Sequence, residues 1–173
     1  MNRIVTVLSA AALALAAAAS AAAQAQGQPP PVPAQTIRGQ FNYVGGKVLE
    51  MAKDFPEAKY SYKASPEMRS FGEVIVHIAS GNAFGAKIGR GEKAKWDEID
   101  PKDFKTKADV VAMFQKAFDD ANAALKDTPD DHFKETLSPW VAIIEHGAEH
   151  YGLLVAYYRL SGLVPPESRP KSK

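Results

Sequence analysis

The chain of 173 residues has no cysteine. That excludes disulfides, thiolate metal ligands and a cysteine nucleophile, and leaves packing, with or without a metal ion, to hold the fold. It also has no charge excess. The first 25 residues carry one charged side chain, Arg3, and the 20 basic residues beyond them balance 20 acidic ones. A neutral chain lacks the basic patch that an electrostatic nucleic-acid binder needs, so no nucleic-acid partner is expected. Beyond the N-terminal stretch, no segment is apolar enough to cross a bilayer, and no internal repeat is present.

The one long apolar run is at the start. Met1-Asn2-Arg3 is a short basic opening, Ile4 to Ala19 is apolar and alanine-rich, and Ala23-Gln24-Ala25 offers a small-x-small cleavage pattern. We read residues 1–25 as a secretion signal, which predicts a periplasmic or secreted protein. Residues 26–35 form a proline-rich linker, 36–166 one helical domain, and 167–173 a polar tail.

The remaining pattern is all-α. Ile37, Phe41, Val44, Val48 and Met51 alternate steps of four and three, predicting a first helix from about Ile37 to Lys53 with Thr36 as N-cap. Gly45-Gly46 at its centre is either a tolerated weak spot or a close backbone approach. Pro56 ends this helix, and Tyr60-Ser61-Tyr62 reads as a short extended piece laying aromatic rings over a bundle end. Ser70 and Glu73 form a capping box for a second helix that continues to about Ile88. A long polar connection follows from Gly89 to Lys105. Its length suggests a crossover, with Trp96 its only large anchor. Thr106 and Asp109 cap a third helix, about Lys107 to Lys126. Ser138 as N-cap and Pro139 at the first position predict a fourth helix to about Leu160, stopped by Gly162 and Pro165-Pro166. Four helices around one core make a four-helix bundle.

The chemistry concentrates in Glu145-His146-Gly147-Ala148-Glu149-His150. Residues four apart share a helix face, so His146 and His150 can reach one ion. A third imidazole is available from His77, central on the core side of the second helix, with Gly81 one turn on leaving room beside it. Bundles build metal sites from inward side chains on facing helices. The three therefore form a candidate site for one divalent metal, with a position open to water or substrate. The alternative is three core histidines bonded to carbonyls. His132, in an acidic turn, is not counted as a ligand.

His146 to His150 also satisfies the H-x-x-E-H string of inverted zinc peptidases, but too little chain follows to supply their distant carboxylate ligand. Glu149 is a weak candidate for a catalytic base, and more often such a residue is a solvated helix flank. Tyr157 and Tyr43 are candidates for orienting a substrate, with core packing as the alternative. Ile144, Ala148, Tyr151, Val155 and Tyr158 form a second apolar strip on the fourth helix. Through it a homodimer is expected.

The blocks Phe41-Asn42-Tyr43, Pro66-Glu67-x-Arg69-Ser70-Phe71-Gly72-Glu73-Val74, His77-Ile78-Ala79 and Glu145 to Gly152 are similar, in order and spacing, to the signature of the DinB/YfiT-like superfamily. So is the ending Tyr157-Tyr158-Arg159-Leu160-x-Gly162-Leu163-Val164-Pro165-Pro166. The resemblance implies a bundle holding one divalent ion on His77, His146 and His150, with zinc, nickel or iron as the metal. It also implies frequent dimerisation, and a metal-dependent hydrolase or a thiol-dependent transferase. Export sets this chain apart, because low-molecular-weight thiols are largely cytosolic. A non-catalytic metal-binding stress-response protein, or a dimerisation module, is the alternative reading.

Overall fold

The computed structural model describes residues 33–170, so the expected secretion signal and most of the expected proline-rich linker lie outside the described residues. Among the described residues four helices carry the fold: α1 Pro33–Asp54, α2 Phe71–Gly89, α3 Lys107–Asp127 and α4 Phe133–Leu160. Short 3-10 turns lie at Glu57–Lys59, Pro101–Asp103, Asp130–His132 and Pro166–Ser168. No helix among the described residues is long and apolar enough to cross a membrane.

The helices pack in the ring order α1–α3–α2–α4, with α1 opposite α2 and α3 opposite α4. Side-chain contacts give the directions. Thr128, just past α3, donates its hydroxyl to the carbonyl of Gly89, the last residue of α2, so α2 and α3 run parallel. Near the start of α1, Arg38 donates to the carbonyls of Leu125 and Thr128, which makes α1 antiparallel to α3. The Tyr158 hydroxyl near the end of α4 lies 3.0 Å from the Met51 carbonyl near the end of α1, so these two are parallel. The connection from Arg90 to Thr106 must therefore return along the bundle to start α3 beside the start of α2. This is the crossover expected from its length.

Both predicted capping boxes form, Ser70 with Glu73 and Thr106 with Asp109. Several boundaries differ from expectation. Helix α1 starts at Pro33 rather than Ile37, so Thr36 is not its N-cap. Proline suits a helix start because the first amides have no intrahelical partner. Helix α4 begins at Phe133, five residues before the predicted Ser138 cap, and Pro139 lies inside it. Phe133 is buried with the Arg38 guanidinium over its ring, which holds the extra turns in place. Pro139 leaves the Glu135 carbonyl without an intrahelical donor. Glu135 is exposed, so water can serve that group.

Tyr60-Ser61-Tyr62 is not extended. Tyr60 closes the Glu57–Lys59 turn in a helical conformation. Its ring packs edge-on against Phe71, which stacks on Phe55 at 3.8 Å between centroids, so the expected aromatic cover over the bundle end is present. In the predicted tail, Arg169 pairs with Asp54, whose carboxyl its hydrogen bonds hold below the usual range against the opposing effect of burial.

Gly45 and Gly46 separate cleanly. A Cβ on Gly45 would fall 2.3 Å from the Phe118 ring, whereas one on Gly46 would meet nothing within 4 Å. Phe118 is itself held by Phe41 and Phe114, so it has little room to yield. Gly45→Ala is expected to destabilise the fold by about 1–3 kcal/mol. Gly46→Ala should stabilise it by about 0.5–1 kcal/mol through helix propensity. Urea denaturation of both variants checks the opposite signs.

Candidate metal centre

Helices α2 and α4 approach closely because α2 presents three glycines on one face. A Cβ at Gly85 would lie 2.9 Å from both Ile143 and Trp140, and one at Gly89 would lie 2.9 Å from Trp140. One turn earlier, a Cβ at Gly81 would meet His146 Nδ1 at 3.1 Å. Gly81 thus makes room for His146 across the interface, not for His77 on its own helix.

The result is a three-histidine cluster. His77, His146 and His150 each offer one ring nitrogen, and these three atoms lie within 4.8 Å of one another. His77 Nε2 is 3.0 Å from His146 Nε2. The ring centroids are 4.5 to 4.9 Å apart, and all three residues are half-buried. His132 is exposed in its turn and takes no part.

Burial favours the neutral ring at His146 and His150. Burial, followed by the neighbouring His150 and His77, pushes His146 down to about 4. Burial and His77 likewise lower His150. Neutral imidazoles keep the lone pairs that a metal ligand needs.

The crossover connection adds two residues whose part in the site the sequence reading did not identify. Glu98 Oε1 accepts from His77 Nδ1 at 2.9 Å and from Arg69 Nη2 at 3.0 Å. Burial works to raise the Glu98 carboxyl, but the His77 hydrogen bond and the Arg69 charge outweigh it, and the group is held low. A carboxylate only accepts, so the His77 hydrogen sits on Nδ1 and its Nε2 lone pair faces the other two histidines. Arg69 is placed in turn by Tyr157, whose hydroxyl donates to the Arg69 carbonyl. The second residue is Trp96, which lies edge-on to His77 and His146 at 5.8 and 5.7 Å. The connection is anchored beside them by the Ile99 amide, which donates to Ser80 Oγ at 3.0 Å. The available signal was Trp96-x-Glu98, an aromatic and an acid two apart in a long polar connection.

The other candidates fall elsewhere. Glu149 is exposed on the flank of α4, and its side chain makes no hydrogen bond among the described residues. Tyr157 is fully buried, so it supports Arg69 rather than meeting a substrate directly. Tyr43 is 62% exposed on α1, where Lys47 lies over its ring and that of Tyr151. Tyr158, assigned to the dimer strip, is also fully buried: its ring packs on Phe55 and cannot meet a partner.

These features define a helical bundle with a solvent-reachable three-histidine centre between two helices. The family model of the DinB superfamily matches residues 40–154, most of the chain and all three histidines, and the chain belongs to that superfamily. No curated protein matched it.

Glu98→Gln keeps the size of the side chain but removes its charge. For a divalent ion on the three histidines, this change is expected to weaken affinity by about 10- to 100-fold while leaving the helical circular dichroism unchanged. Competition with a chromophoric chelator measures the difference, and equal affinities would remove Glu98 from the site.

Proposed function

We propose that this chain binds one divalent metal ion through His77, His146 and His150, and that this centre serves a metal-dependent reaction on a small molecule outside the cytoplasm. The observation that carries the reading is the convergence of three ring nitrogens within 4.8 Å, with a carboxylate behind one of them. Imidazole ligands suit zinc, nickel and iron alike, so the donor set does not select among them. A metal bound there supplies Lewis acidity toward an oxygen or sulfur atom of a substrate.

The chain's own residues do the rest. Glu98 keeps the His77 hydrogen on Nδ1, Arg69 and Tyr157 keep Glu98 in place, and Trp96 stands edge-on beside the cluster. The histidines are only half-buried, which leaves them within reach of a ligand. Hydrolysis is the reaction that best fits the exported location argued from residues 1–25, and thiol-group transfer is the alternative. A non-catalytic metal-binding role is separated from both by screening metal-loaded protein for turnover on ester, amide and thiol-conjugate substrates.

The deciding measurement is metal content by mass spectrometry on untagged protein. About one ion per chain is expected in the wild type and none in His77→Ala. If neither protein takes up metal after reconstitution, the three histidines are packing residues.

A second proposal concerns the outer face of α4. Leu137 and Val141 are exposed there, and Ile144, Ala148, Tyr151 and Val155 continue their row at alternating steps of four and three. A second copy placed by a two-fold axis would cover this row with its own. Sedimentation velocity is expected to show a dimer in the wild type and a monomer in Val141→Glu. A monomeric wild type would dismiss the contact.

A further inference from the structure

Arg69 has donors left over after its structural role is filled. Only Nη2 is used, on the two Glu98 oxygens at 3.0 and 3.3 Å. Nε and Nη1 make no hydrogen bond among the described residues, and the side chain is 49% exposed. Its backbone carbonyl is held by Tyr157, so the residue is fixed at the edge of the histidine cluster. The Glu98 oxygen that accepts from Nη2 also accepts from His77 Nδ1, which sets the guanidinium beside the cluster.

The charge balance at the site points the same way. Glu98 and Arg69 cancel, and an imidazole that ligates a metal does so as the neutral ring. An ion bound there keeps its charge with no acidic side chain against it. Glu145 and Glu149 are exposed on the α4 flank and hydrogen-bond to none of the histidines. A monoanion would be drawn to the ion and to the free guanidinium donors together, and the planar fork of arginine matches a carboxylate. Beside this polar edge stands an apolar one. Trp96 is 46% exposed although its ring touches the cluster, and Phe84 packs against it at 6.0 Å.

We propose that the histidine centre recognises small carboxylic acids with a flat apolar body, the carboxylate lying at Arg69 beside the metal position and the body on the open face of Trp96. The proposal rests on the three-histidine metal reading. It adds the class of ligand: a monoanionic organic acid rather than a neutral amide or a phosphorylated compound. The single guanidinium matches one negative charge better than two.

The test uses full-length zinc-reconstituted protein whose metal content is measured on the same sample. Benzoate is titrated against benzamide, its neutral counterpart, with tryptophan fluorescence and calorimetry as readouts. Trp140 is fully buried, so a fluorescence change reports on Trp96. Benzoate is expected to saturate and benzamide to bind at least about tenfold more weakly. In Trp96→Phe the fluorescence change should vanish. In Arg69→Gln at full metal occupancy, benzoate affinity should fall by at least about tenfold. Equal binding of benzoate and benzamide, no binding to metal-loaded protein, tighter inorganic phosphate than benzoate, or unchanged affinity in Arg69→Gln would each overturn the proposal while leaving the metal reading intact. Should Arg69→Gln lose its metal, the wild-type comparison of the two probes decides. A wild type that takes up no zinc overturns the metal reading, and this proposal with it.

Discussion

The close approach of α2 to α4 governs what the rest of the structure can do. Gly81, Gly85 and Gly89 recur every four residues, and each stands where a methyl group would press on a neighbour. Trp140 and Ile143 fill the space opposite the last two, and His146 fills the space opposite the first. Interiors pack at near-crystalline density, so one added carbon on this row must displace a ring or a helix. The histidines of two helices meet because this face of α2 has no side chains to hold α4 away.

The crossover between α2 and α3 turns that contact into an organised site. A parallel pair of neighbouring helices requires a connection that returns along the bundle. Here the return path passes over the histidines and leaves Trp96 and Glu98 against them. The Glu98 carboxylate sets the tautomer of His77 and is itself held by Arg69, whose backbone is tied to Tyr157 on α4. Elements from before, within and after the crossover thus converge on one imidazole. A bundle with a short hairpin in that place would have no carboxylate available there.

Much of this was legible in the chain. The periodicity of Ile37 to Met51, the capping boxes at Ser70 and Thr106, and the stop at Gly162 are local signals that the fold obeys. The pairing of His146 with His150 follows from helical spacing alone. Other features were not legible because they depend on partners distant in sequence. Pro139 looked like a helix start, yet burial of Phe133 under Arg38 carries the helix through it. Tyr158 looked available to a second subunit, yet its ring and hydroxyl are used by Phe55 and Met51. Glu98 carried little beyond its place in a polar loop, since its importance comes from where the loop lies.

By itself, then, the sequence determined the presence of four helices, the two capping boxes, the all-α class and the three imidazoles able to share one ion. Spacing, propensity and capping act within a few residues and need no tertiary partner. The tertiary structure alone decided which helix faces meet, that Gly45 and Gly81 are close approaches and Gly46 is not, and that Arg69, Glu98 and Trp96 belong to the centre. Those outcomes depend on packing between segments far apart in the chain, where a side chain acquires its role from what stands opposite it.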